Sequence, residues 1–193
     1  MKKINYLLKY LTILAGLYLA VNNIKEGDIY ALLIDLSLIP ILFLPELVVK
    51  FFEYKICEFN SLFYTIFIIV ADLLGSALKL YGSIWWLDVL THTVSGILIS
   101  SLVYEYLDKT KQNKNKFKVI INVITIVLSL AVLWEFFEYT VDKISGADAQ
   151  KVIATGVDDT MEDMLVAFFG SIFFSIIILN KDIDSLLVKY FKK

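Results

Sequence analysis

The sequence predicts an all-α membrane protein: a polytopic bundle of about six transmembrane helices, both termini cytoplasmic, with a short amphipathic segment at the carboxyl end. Three observations carry that expectation. Of 193 residues, 59% are hydrophobic, and the mean hydropathy is +0.73. The apolar residues gather into runs of about 20, the length a helix needs to cross the hydrocarbon of a bilayer. The lysines between those runs are distributed very unevenly between the two sides.

Spans are expected at residues 4–22, 29–51, 60–81, 84–107, 117–141 and 160–180. The first follows Met1-Lys2-Lys3 and imitates a secretory signal. It ends in Leu19-Ala20-Val21-Asn22-Asn23 without a small-x-small cleavage pattern, so an uncleaved span is expected. The second contains Pro40 and Pro45, the only prolines. Each removes a backbone donor, so a kink or break is expected there. Asn60-Ser61 and Asp159-Thr160 offer side chains that cap helix starts. The connection 108–118 is hydrophilic and lysine-rich, and the connection 142–158 is the longest, with Gly146 and Gly156 as breakers. From Asp182 to Lys193, the residues Leu186, Leu187, Tyr190 and Phe191 share one helical side with lysines beside them. That is the pattern of a short helix on a membrane surface. With no repeat, low-complexity tract or soluble domain visible, residues 1–193 read as one bundle domain.

Composition narrows the partners. Net charge is −2 and no basic domain exists, so nucleic acid is excluded as an expected partner. Every basic residue is lysine, so bidentate guanidinium clamps are absent. Cys57 stands alone, which rules out an internal disulfide and a cysteine-rich zinc site. With a cytoplasmic amino terminus, that side receives 13 lysines and the outer side only Lys25, Lys79, Lys143 and Lys151, leaving Lys9 inside the first span. This bias predicts a multi-pass protein of the cytoplasmic membrane.

The topology then collects the acidic residues. Asp88 and His92, the sole histidine, lie about 6 Å and 12 Å below the outer start of the fourth span. Glu135 and Glu138 occupy the last turns of the fifth span, and Asp159 and Asp163 the first turns of the sixth. Spacings of four, three and four put each pair on one helix face. Such groups are costly inside a membrane and are rarely accidental. Three helices presenting paired ligands inward is how bundles build carboxylate-rich metal sites. One imidazole and several carboxylates suit magnesium, manganese, calcium, iron or zinc.

Each element also has a plainer reading. Asp88 can sit at the interface behind Trp85 and Trp86, and His92 can be a hydrogen-bonded bundle histidine. Glu135 and Glu138 can be solvated. Asp159 with Glu162 resembles a capping box. Asp72 can join the cluster, Asp35 can make a separate polar contact, and Glu105 is expected to be solvated near the cytoplasmic end. Ser95 and Gly96 read as close-packing residues.

At Asp88-x-x-x-His92 in WWLDVLTHTVSG, Glu135-x-x-Glu138 in LWEFFEY and Asp158-Asp159-Thr160-x-x-Asp163-Met164 in TGVDDTMEDMLVAFFGS, the sequence resembles the YjdF-like family of bacterial inner-membrane proteins. More distantly it resembles the VanZ-like proteins. The resemblance covers approximately residues 60–180, supports the fold and nominates the site. The VanZ-like members are associated with glycopeptide resistance. The glutamine and arginine that often follow their glutamate are missing here, which speaks against that role.

Three function classes follow. The first is a metal-dependent enzyme acting on a lipid-linked or amphiphilic substrate at the outer leaflet, with Asp88, His92, Glu138, Asp159 and Asp163 as metal ligands and Glu135 and Glu138 as catalytic carboxylates. The second is a small proton- or cation-coupled transporter or channel. The third is a non-catalytic membrane scaffold or lipid-binding module.

Overall fold

In the computed structural model, which describes residues 1–52 and 54–191, the chain is helical, and no strand occurs among the described residues. Among the described residues, five helices are long and apolar enough to cross a membrane, and a bent pair, Ile29–Leu42 with Leu44–Phe51, makes a sixth span if counted as one. Lys192 and Lys193, which the lysine count includes, lie outside the described residues. Contacts divide the chain into two compact units, Met1–Thr91 with Lys189–Lys193, and His92–Val188.

The first unit opens with α1 (Lys2–Glu26). Gly27 ends it at φ 75°, a left-handed turn that glycine adopts without strain. Asp28 then caps α2 (Ile29–Leu42), accepting from the amide of Ala31 at 2.9 Å. The expected break occurs at Phe43, where α2 and α3 (Leu44–Phe52) meet at 46°. Pro45 has no amide to give the carbonyl of Ile41 four residues back, and the Tyr64 hydroxyl donates to that carbonyl at 2.8 Å.

Helix α4 (Glu58–Ile68) begins two residues before the expected cap. Cys57 is its N-cap, its Sγ accepting from the amide of Asn60 at 3.4 Å, and Asn60 is buried inside the helix. A π-helical stretch, Ile69–Ala77, continues α4 and carries Asp72. Leu38, Leu42, Ile68 and Leu73 form the core of this unit, with Ile13, Leu19, Tyr64 and Phe67 against it. Two pairs of polar side chains join its helices. Lys9 Nζ sits 2.7 Å from both oxygens of Glu46, and the Asn23 amide donates to Asp35 Oδ2 at 2.7 Å.

The second unit holds most of α5 (Leu87–Lys109), α6 (Lys116–Ser145), α7 (Val152–Thr155) and α8 (Asp158–Ile177), and the start of α9 (Lys181–Phe191). Asn115 caps α6 and Gly146 closes it at φ 72°. The inward face of α8 is Asp163, Ala167, Gly170, Ser171, Phe174 and Ser175, mostly small or polar, while Phe169, Phe173 and Ile176 are exposed. On α6, Val119, Val123, Val127 and Glu135 face inward, and Leu133, Phe136 and Phe137 face out. This inverts the pattern of a soluble bundle. It is the arrangement expected where lipid covers the outside and close packing, rather than expulsion of water, holds helices together.

At the far end of the unit, Lys116 Nζ donates to the Tyr104 hydroxyl at 2.7 Å and to Asp184 Oδ1 at 2.6 Å, while Tyr104 also donates to Asp184. This ties α9 to α5 and α6. Glu105, expected to be solvated, is instead fully buried and paired with Lys109 one turn on. Its helix face points into the unit, and a lysine long enough to bend back neutralises it there.

Candidate functional site

Close approach of α5 and α8 builds the site. A Cβ on Gly96 would lie 2.1 Å from the carbonyl oxygen of Ala167, and one on Gly170 would lie 2.3 Å from that of Thr93. Only glycine lets the two backbones meet so closely. The helices run in the same direction, because one turn before Gly96 and one turn before Ala167 stand His92 and Asp163. His92 Nε2 and Asp163 Oδ2 are 3.5 Å apart, with side chains 16% and 6% exposed.

Asp88 lies one turn before His92 on α5. The division between units falls inside that helix, so the helix itself carries Asp88 to His92. One ligand atom from each of Asp88, His92 and Asp163 lies within 4.8 Å of the others. In a tetrahedral site with metal–ligand bonds near 2.0–2.2 Å, two ligand atoms stand roughly 3.4 Å apart. The His92–Asp163 spacing fits that geometry, and small side-chain movements would close the third position. Two carboxylates and one imidazole also match the donor chemistry of hard to borderline divalent ions.

A second polar group hangs from the same face of α8. Thr160 is three residues before Asp163. The side-chain amide of Gln150 donates to Glu135 Oε2 at 3.1 Å, to the Glu135 carbonyl at 3.2 Å and to Thr160 Oγ1 at 3.4 Å. Both Glu135 and Gln150 are buried. Gln150 reaches this position because the loop is pinned: the Asp142 carboxylate accepts from the amides of Ala149 and Gln150 at 2.6 and 3.1 Å. The loop between Gly146 and Gly156 thus folds back onto Glu135.

The other nominated residues sit differently. Glu138 is half-buried and accepts from the Trp134 indole at 2.9 Å. Asp159 accepts from Lys151 Nζ at 3.2 Å. Helix α8 begins at Asp158 behind Val157, which makes no side-chain cap, so Asp158 and Asp159 occupy the first turn, where the helix dipole favours negative charge. Asp72 and Asp35 belong to the first unit, Asp35 with Asn23 as its partner.

Sequence reading overlooked Gln150, Asp142 and Thr160. A polar residue in a loop carries no periodic signal, and only the fold shows that Gln150 turns inward. No curated protein and no solved structure matches the chain. The family model described as predicted membrane protein, DUF2238, matches residues 7–181, and with its apolar spans and inward-facing polar residues this chain belongs to that family.

Proposed function

We propose that this protein is a multi-pass protein of the cytoplasmic membrane, both termini inside, whose carboxylate–histidine centre near the outer face binds a divalent metal ion and acts on a lipid-linked or amphiphilic substrate. The observation that carries the reading is the convergence of Asp88, His92 and Asp163 on a region 4.8 Å across. Lysine asymmetry supports the orientation, and the quoted motifs support the narrower likeness to YjdF-like proteins. Nothing adds to the likeness to VanZ-like proteins.

Asp88, His92 and Asp163 would hold the ion. Three protein ligands leave room for water or substrate, the pattern of catalytic rather than structural sites. When bound, such an ion supplies Lewis acidity toward a phosphoryl or carbonyl oxygen. The chain's own groups supply the rest. Glu135 is buried, and Gln150 fixes the direction of its Oε2. That arrangement suits a carboxylate that accepts a proton. Glu138 on α6 and Asp159 in the first turn of α8 are engaged by Trp134 and Lys151.

Metal analysis of purified protein tests the proposal. Near-stoichiometric divalent metal in the natural protein and its loss in His92→Ala support it. Sub-stoichiometric metal in both would refute it. A small proton- or cation-coupled transporter is the second reading, favoured by the buried charges of the first unit, Lys9 with Glu46 and Asp35 with Asn23. Cation-driven or pH-driven flux in reconstituted vesicles, abolished by Glu138→Gln, would favour it.

A further inference from the structure

Asp72 lies in the π-helical stretch Ile69–Ala77, five residues before the end of the 20-residue apolar span Glu58–Ala77. That places it roughly 7 Å inside the span. An aspartate has no long stem with which to carry its charge out to water, as a lysine has. The residue belongs to the first unit, and its role does not depend on the metal centre.

Its carboxylate has no hydrogen-bond or ion-pair partner among the described residues, and no neighbouring cation acts on it. Ionisable groups on the elements packed against this stretch bond elsewhere. On α1 and α2, Lys9 pairs with Glu46 of α3 at 2.7 Å, and Asp35 accepts from Asn23 at 2.7 Å. On α4, the Tyr64 hydroxyl is close enough to sense Asp72 but donates to the Ile41 carbonyl. Beyond the stretch, Lys79 lies 3.7 Å from Asp28, and the Tyr81 hydroxyl donates to Thr91 Oγ1.

The backbone around Asp72 is a second, independent pointer. The amide of Leu78 donates to the carbonyl of Leu73, five residues back, at 2.9 Å, and the Ser76 hydroxyl turns to the Ala71 carbonyl at 3.4 Å. π-helical turns are rare, usually single, and gather at functional sites. Here nine residues adopt the conformation, and Asp72 is the one ionisable group among them.

We propose that Asp72 is a proton-binding site, its carboxyl taking up and releasing one proton within the membrane. A charge with no partner in apolar surroundings is most readily removed by binding a proton. The side chain is half-buried rather than sealed, so a proton can arrive and leave. Asp35 lacks that freedom, being 2% exposed and held by Asn23. A divalent ion is the poorer occupant, because it needs several ligands. Asp72 joins no group of three carboxylate, histidine or cysteine ligands among the described residues.

Carbodiimide labelling of the full-length protein in lipid vesicles tests this. The apolar reagent dicyclohexylcarbodiimide takes the proton of a carboxylic acid on nitrogen while the carboxyl oxygen adds to its central carbon. The product rearranges to a stable N-acylurea with no atom lost, and peptide mass spectrometry locates it. The expected result is an adduct on Asp72 that falls as pH rises, by about tenfold per pH unit once the acid is mostly ionised. The adduct should be absent in Asp72→Asn and unchanged in Asp35→Asn. Because the site is mapped in the natural protein, the result stands even if a variant fails to fold. An unlabelled Asp72 at every pH would overturn the proposal. So would labelling that ignores pH, or equal labelling by a charged, water-soluble carbodiimide, the mark of an ordinary solvated carboxylate.

Discussion

Gly96 and Ala167 meet backbone to backbone: a methyl group on Gly96 would lie 2.1 Å from the Ala167 oxygen. Real side chains do not survive that distance, so Gly96→Ala must push α5 and α8 apart. Gly170→Ala, at 2.3 Å from the Thr93 oxygen, must do the same. Each is expected to cost about 1–3 kcal/mol, the usual toll of overpacking. Gly27→Ala serves as a comparison for backbone strain, because nothing stands within 4 Å of the position but its φ is 75°. Thermal unfolding in detergent measures all three. The prediction fails if Gly96→Ala is no less stable than the natural protein.

Removing the amide of Gln150 leaves Glu135 buried without that partner. Gln150→Leu is expected to lower stability by about 1 kcal/mol, in the range of polar contacts between membrane helices. It should also loosen the loop 146–158. Hydrogen exchange at the amides of Ala149 and Gln150, which the Asp142 carboxylate holds, reads the loosening directly. Unchanged protection there would mean that Asp142 alone pins the loop.

Lys9 is fully buried, and its Nζ touches both oxygens of Glu46. Breaking such a pair from one side strands a charge. Glu46→Leu is expected to cost about 3–5 kcal/mol because it strands the buried Lys9 ammonium. Lys9→Met should cost less because the Glu46 side chain is 35% exposed, and the double change Lys9→Met with Glu46→Leu recovers most of the loss. Equilibrium unfolding of the four proteins gives the coupling energy. Additive losses would show that the two groups do not depend on each other.

Tyr64 compensates for Pro45. Tyr64→Phe should cost about 1 kcal/mol in the natural sequence, because the Ile41 carbonyl loses the hydroxyl and keeps only the Phe43 amide. In a Pro45→Ala background an amide becomes available in the helix itself, and the same change should cost less. Equal costs in both backgrounds would break the link between the two residues.

Orientation can be read chemically. Ser145 and Thr110 are both exposed and Cys57 is buried, so labelling at the two engineered positions reports sidedness rather than accessibility. In a Cys57→Ser background, a membrane-impermeant thiol reagent on intact cells is expected to label Ser145→Cys and to spare Thr110→Cys. The reverse pattern would place the acidic centre on the cytoplasmic side.

The elements governed by long-range repetition were readable in the chain. Apolar run length gave the spans, the two prolines gave the break at Phe43, and the i,i+4 spacing of Asp88 and His92 gave the shared face. Asp163 was legible for the same reason, one helical face below a run of acids. Features set by contact between distant segments were not. Nothing local announces that Cys57 rather than Asn60 caps α4, or that Glu105 turns inward to meet Lys109. The pairing of Glu135 with Gln150 needs a loop to fold back by 15 residues, which no periodicity encodes. The division between the two compact units falls inside α5 and leaves no linker in the sequence.

The glycine contacts between α5 and α8 have a mechanical meaning for the histidine and the aspartate above them. Two carbonyl oxygens seated against bare α-carbons behave like pegs in slots. A slide of α8 along α5 by one turn, about 5.4 Å, would have to lift both out at once. The separation between His92 and Asp163 is therefore gauged by main chain rather than by adaptable side chains. Were an ion held as proposed, one a few tenths of an ångström too large would have to distort the carboxylate or imidazole, and selection by size would rest on residues that never touch it.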